Sequence, residues 1–69
     1  MYAFATPWLG NDRELYLRIV CDTEGEVRAY VNSHYGTNDA TAIYAATGGS
    51  IIELPKSYRW QQGAIIPMR

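Results

Sequence analysis

Sixty-nine residues with a formal net charge of −1 describe one small domain. Apolar residues make up 48%, with six Tyr and two Trp, which excludes disorder and allows a packed core. The charge is neither a DNA mimic's acidity nor a nucleic-acid binder's basic footprint, and a single cysteine excludes an internal disulfide framework. A domain near this size buries only about 60% of its unfolded surface, so its stability margin is small. No apolar run is long enough to span a bilayer, and the N-terminus lacks the basic start and long apolar stretch of a signal peptide. With the lone thiol, this points to a cytoplasmic protein.

Met1 to Thr6 alternates Tyr2, Phe4 and Thr6 against Ala3 and Ala5, which suits a strand. Pro7 is expected to end that strand or confine it to an edge. Pro7 to Arg13 reads as a connection, since Pro7 and Gly10 break structure and Asn11-Asp12 favours a turn. Trp8 and Leu9 inside it either cap the core or form an exposed patch.

Glu14 to Asn32 predicts a β-hairpin. Leu15, Leu17, Ile19 and Cys21 alternate with Glu14, Tyr16, Arg18 and Val20; Val27, Ala29 and Val31 alternate with Glu26, Arg28, Tyr30 and Asn32. Asp22-Thr23-Glu24-Gly25 supplies a turn, with Gly25 in the left-handed conformation. That register pairs Cys21 with Val27, Ile19 with Ala29 and Leu17 with Val31 on an apolar face. Tyr16, Arg18, Arg28 and Tyr30 then share the other face.

Ser33 to Gly36 reads as a loop. A short helix is expected over residues 38–47, with Thr37 or Asn38 as cap, Asp39 at the positive end of the dipole, four alanines and Gly48 as the stop. Ile43 and Ala46 would face the sheet, with Ala42 near the seam. Three threonines and Tyr44 favour strand instead. Ile51 to Leu54 suits a short strand ended by Pro55. Ser57–Trp60 and Ala64–Pro67 suggest a second hairpin, with Gly63 in its turn. The expected fold is α+β: a small, mainly antiparallel sheet of four to six short strands with one short helix. A small all-β barrel is the alternative if residues 40–47 are a strand.

The residues offer little for catalysis. Cys21 and His34 are the candidates for a nucleophile–base pair, but the register buries Cys21 beside Val27 and leaves His34 beyond the hairpin's far end. One His and one Cys cannot complete a four-ligand zinc site, and the carboxylates lack calcium-loop spacing. Gly48-Gly49-Ser50 follows a helix and precedes a strand, the reverse of a phosphate loop. No cofactor or metal is expected.

The surface chemistry that remains is Tyr16, Arg18, Arg28 and Tyr30, with Tyr58, Arg59 and Trp60 repeating the composition. Arginine interleaved with aromatics suits a protein hot spot or stacked bases, although cross-strand Tyr–Arg pairs also merely stabilise sheets. The sequence therefore points to a non-enzymatic protein-binding module, an inhibitor or regulator of a macromolecular partner. Stand-alone proteins of this size from phages and mobile elements often act so. Single-stranded nucleic-acid binding through a Tyr/Arg sheet face is the alternative, and near-neutral charge weighs against it. Self-association as a homodimer is compatible with the first reading.

Overall fold

The structure, a computed structural model, describes residues 1–8, 11–56 and 61–67, without the side chains of residues 11–13. Four strands form one antiparallel sheet: β1 (Tyr2–Trp8), β2 (Asn11–Cys21), β3 (Ser50–Glu53) and β4 (Ile65–Pro67), in the order β3-β1-β2-β4. Two helices, α1 (Glu24–Tyr35) and α2 (Ala40–Thr47), lie between β2 and β3 in sequence. The α+β expectation holds, with two helices where one was predicted, and the sheet does not close into a barrel.

The second helix is α1, and it replaces the second arm of the predicted Glu14–Asn32 hairpin. Thr23 caps it: its Oγ1 accepts from the Glu26 backbone N–H at 3.2 Å, and its hydroxyl donates to Glu26 Oε1 at 3.0 Å. Thr-x-x-Glu is a capping signature, and Glu24 and Glu26 in the first turn complement the helix dipole. Gly36, at φ 75°, supplies the left-handed stop. The alternation of Val27, Ala29 and Val31 misled because Val27 and Val31 are also four apart, hence on one helical face. Those two valines are buried, whereas Ala29 is exposed. Gly25 lies in the first helical turn and has no positive φ, so the predicted left-handed turn is absent.

The partner of β2 is therefore β1, with Tyr2 opposite Cys21, Phe4 opposite Ile19 and Thr6 opposite Tyr16. The register slips between Phe4 and Ala5, because Ala5 pairs with Leu17 and Arg18 is left without an opposite number. Such a bulge breaks strict alternation. Leu15, Leu17 and Val20 consequently pack with Ala3, Ala5 and Leu54 on one face of the sheet. Ile19 and Cys21 pack with Phe4, Val27, Val31 and Ile43 on the face that carries the helices. The expectation that Leu15, Leu17, Ile19 and Cys21 share one face fails at this bulge.

Pro7 neither ends β1 nor makes it an edge strand. β1 is central over Tyr2–Ala5, where β3 flanks it, but β3 has no partner for Thr6, Pro7 or Trp8. Proline is tolerated there because its missing N–H breaks no ladder bond on the open side.

α2 forms over Ala40–Thr47, within the predicted residues 38–47, but its cap is neither Thr37 nor Asn38. Asp39 is the cap, accepting from the Ala42 N–H at 3.0 Å, and Gly48 stops the helix at φ 72°. Ile43 is buried as expected, whereas Ala46 and Ala42 are exposed. Gly49 must be glycine for a different reason: a Cβ there would sit 2.7 Å from Thr6 Cγ2, 2.8 Å from the Ala5 carbonyl oxygen and 2.9 Å from Phe4 Cζ. The chain can enter β3 only by passing that close to β1. Of the predicted second hairpin, Ser57–Trp60 lies outside the described residues. Its other arm is β4, which pairs with β2, and Gly63 carries the left-handed φ of 86° that the turn requires.

Two substitutions separate helix from hairpin. Gly25→Ala should stabilise the domain by about 0.5–1 kcal/mol, because nothing lies within 4 Å of an added Cβ and alanine is the better helix former. A turn glycine would give the opposite sign. Gly49→Ala should cost about 1–3 kcal/mol through overpacking. Thermal melts read both, at roughly 4–8 °C per kcal/mol for a domain of this size.

Candidate functional site

The helices cover the end of the sheet near Tyr2 and Phe4. Beyond the last turn of α1 the same face is open, and the residues there are Thr6 and Trp8 from β1 and Tyr16 and Arg18 from β2. Trp8 and Tyr16 stack with centroids 5.3 Å apart and planes 17° from parallel. Arg18 Cζ lies 4.9 Å from the Tyr16 ring centroid, and Arg18 Nε donates to Thr6 Oγ1 at 3.0 Å. The bulge is what brings Arg18 into this row, since Tyr16 and Thr6 are cross-strand partners and Arg18 is the unpaired residue beside them.

These side chains line a groove of about 760 Å³. Tyr35 of α1 and Thr47 of α2 close its far wall. Tyr35 is held edge-on against Phe4 at 5.7 Å, so the wall is anchored in the core. Thr47 donates to the Ile43 carbonyl at 2.8 Å and accepts from the Gly49 N–H at 2.9 Å, which commits its hydroxyl to the backbone. Trp8 and Tyr35 each remain 39% exposed. Ile65 of β4, opposite Tyr16 and 42% exposed, extends the apolar surface past the stack. Aromatic walls, a few polar groups and this volume are the ordinary properties of a binding groove.

Of the predicted site, the structure brings Tyr16 and Arg18 together and separates them from Arg28 and Tyr30. Those two are on α1, so the four do not share one hairpin face. Arg28 is exposed and donates to Glu24 Oε2 at 3.0 Å, one helical turn back. Tyr30 packs against the helix-side core and stacks on His34 at 4.5 Å. Tyr58, Arg59 and Trp60 lie outside the described residues.

The sequence offered Trp8 as either a core cap or an exposed patch, but did not place it beside Thr6, Tyr35 and Ile65. One signal was present: the alternation Tyr2, Phe4, Thr6 continues to Trp8, so extending the strand through Pro7 puts Trp8 on the Thr6 face. Tyr35 gives no such signal, because Ser33-His34-Tyr35-Gly36 has the composition of a loop.

Cys21 ends β2 before the first turn of α1 and His34 lies in the last turn of α1, so about 15 Å of helix at 1.5 Å per residue lies between them. Among the described residues, no three His, Cys, Asp or Glu side chains gather in a metal-binding arrangement. The Cys21 thiol is pushed above its ordinary pKa, first by burial and then by the negative charges of Glu26 and Asp22. No helix among the described residues is long and apolar enough to cross a membrane.

No protein-family model matches this chain, and no curated protein or solved structure matches it. The architecture and groove define it as a small α+β domain with an exposed aromatic–guanidinium row.

The thiol carries a pH prediction. The unfolded thiol ionises near roughly pH 8.5, and the native thiol ionises higher. Between those values the unfolded state has lost a proton that the native state keeps, so this group's contribution to stability falls as pH rises. Cys21→Ala should remove that part of the alkaline slope in denaturant melts. Iodoacetamide should alkylate Cys21 more slowly at pH 8 than it alkylates a short unstructured peptide thiol, because the thiolate is the nucleophile.

Proposed function

We propose that this domain is a non-enzymatic module that docks a macromolecular protein partner through the groove over β1 and β2, as an inhibitor or regulator of that partner. The observation that carries this reading is the Trp8–Tyr16–Arg18 row, exposed at the mouth of a groove anchored in the core. Trp, Tyr and Arg are the residues enriched at interface hot spots. Their placement on paired strands means that little ordering is lost on binding. The groove's described lining holds rings, hydroxyls and one guanidinium, without the carboxylate, imidazole or thiol that acid–base or nucleophilic chemistry uses. That composition favours binding over catalysis.

Single-stranded nucleic acid is the second reading, because stacked rings beside an arginine also suit bases. Among the described residues the groove holds one cation to neutralise phosphate, which makes this the weaker of the two. A second copy of the chain could pair along β3, whose outer side has no strand partner among the described residues. A cytoplasmic location fits the free thiol.

Affinity capture from the native host should recover a partner with the parent protein and with Arg28→Ala. Trp8→Ala and Arg18→Ala should each weaken that capture by more than about 1 kcal/mol, with melting temperatures near the parent's. Equal recovery by all four proteins would place the interface elsewhere.

A further inference from the structure

We infer that the groove is built to take a short acidic peptide segment of the partner, with an aspartate or glutamate carboxylate on Arg18 and an adjoining apolar or aromatic side chain between Trp8 and Tyr35. The inference rests on the docking role proposed above and specifies what is docked.

Two contacts hold the Arg18 guanidinium in place. Its Nε is committed to Thr6 Oγ1 at 3.0 Å, and its plane carbon sits over the Tyr16 ring at 4.9 Å. Its terminal nitrogens meet no carboxylate among the described residues, whereas Arg28 is matched by Glu24. A guanidinium fixed in orientation and without an acid partner among the described residues presents a fork whose geometry fits a carboxylate bidentately. Apolar surface lies beside it. Trp8 and Tyr35 are the partly exposed rings that border the groove, and both are restrained, Trp8 by Tyr16 and Tyr35 by Phe4. A carboxylate next to an apolar side chain satisfies both parts of the groove.

The charges of the described residues favour a peptide over a polyanion. Among the described residues, Arg18 is the one formal charge lining the groove, and the chain as a whole carries −1. A nucleic-acid strand draws its affinity from several neutralised phosphates. A single carboxylate needs one guanidinium, which is what the described lining supplies.

The test is selection from a displayed library of short random peptides on the intact protein, followed by titration of the selected peptides made synthetically. The expected winners pair an Asp or Glu with an aromatic or large aliphatic neighbour. Changing that acid to its amide in the peptide, or Arg18→Gln in the protein, should each weaken binding about tenfold or more, in line with the loss of a charge-assisted hydrogen bond. The two changes together should cost no more than either alone. Arg18→Gln keeps a donor for Thr6, and circular dichroism melts confirm that each variant is folded; Trp8→Phe serves if Trp8→Ala is not.

Peptides that bind in a Trp8-dependent manner without acid preference and ignore Arg18→Gln would overturn the acidic-segment inference and leave the docking groove standing. Winners indifferent to both Trp8 and Arg18 variants, or no enrichment at all, would overturn both. Trp8-dependent binding of oligothymidylate that tightens steeply at low salt, without acidic-peptide binding, would overturn both in favour of nucleic acid.

Discussion

The ring of Phe4 is the constraint on which this domain depends. It is fully buried in the central strand, and three elements are set by it. Val27 and Val31 of α1 and Ile43 of α2 close over it, Tyr35 meets its edge, and the backbone at Gly49 passes within reach of its Cζ. On either side of Phe4 in the strand are Ala3 and Ala5, which face the other layer with Leu17 and Leu54. A large ring toward the helices and small residues away from them let one strand serve two tightly packed faces. Replacing Phe4 by a small side chain would remove support from both helices and from the start of β3 at once.

The open groove follows from how far that core extends. α1 is long enough to cover Phe4 and ends at Tyr35, one strand-step short of Thr6 and Trp8. The bulge at Arg18 then does two things. It turns Leu17 to one face and Ile19 to the other, so that each core receives its side chain. It also leaves Arg18 beside Thr6 and Tyr16, where the guanidinium is oriented by a hydrogen bond and a ring. A packing irregularity in the strand thus becomes the polar centre of the exposed surface, a use of bulges that recurs near functional sites.

Much of this was legible in the sequence, and the errors have physical causes. The first strand, α2 with its Gly48 stop, a strand predicted at Ile51–Leu54 and found at Ser50–Glu53, and the α+β class were all readable from period and stop residues. The segment Thr23–Gly36 was misread because its two buried valines satisfy both a period of two and a spacing of four. The Thr23-Glu26 capping pair and the Glu24-Arg28 spacing were the signals that separate the two, and they favoured helix. Tyr16 and Arg18 were singled out correctly as neighbours, but Arg28 and Tyr30 joined them only through the mistaken register. Nothing in the sequence announced the bulge, since no glycine or proline marks it. Without the bulge, Arg18 could not be placed next to Thr6, nor Trp8 next to Tyr16.

Residues 24–35 form a helix packed on Phe4, so that β2 pairs with β1 and the Trp8–Tyr16–Arg18 row is left open. Nuclear Overhauser contacts from the Phe4 ring protons test it most directly. The structure predicts cross-peaks to the methyl groups of Val27, Val31 and Ile43, together with helical carbon shifts across Glu24–Tyr35. Cross-strand contacts between Ile19 and Ala29, with extended shifts over Val27–Val31, would contradict the fold and the groove together.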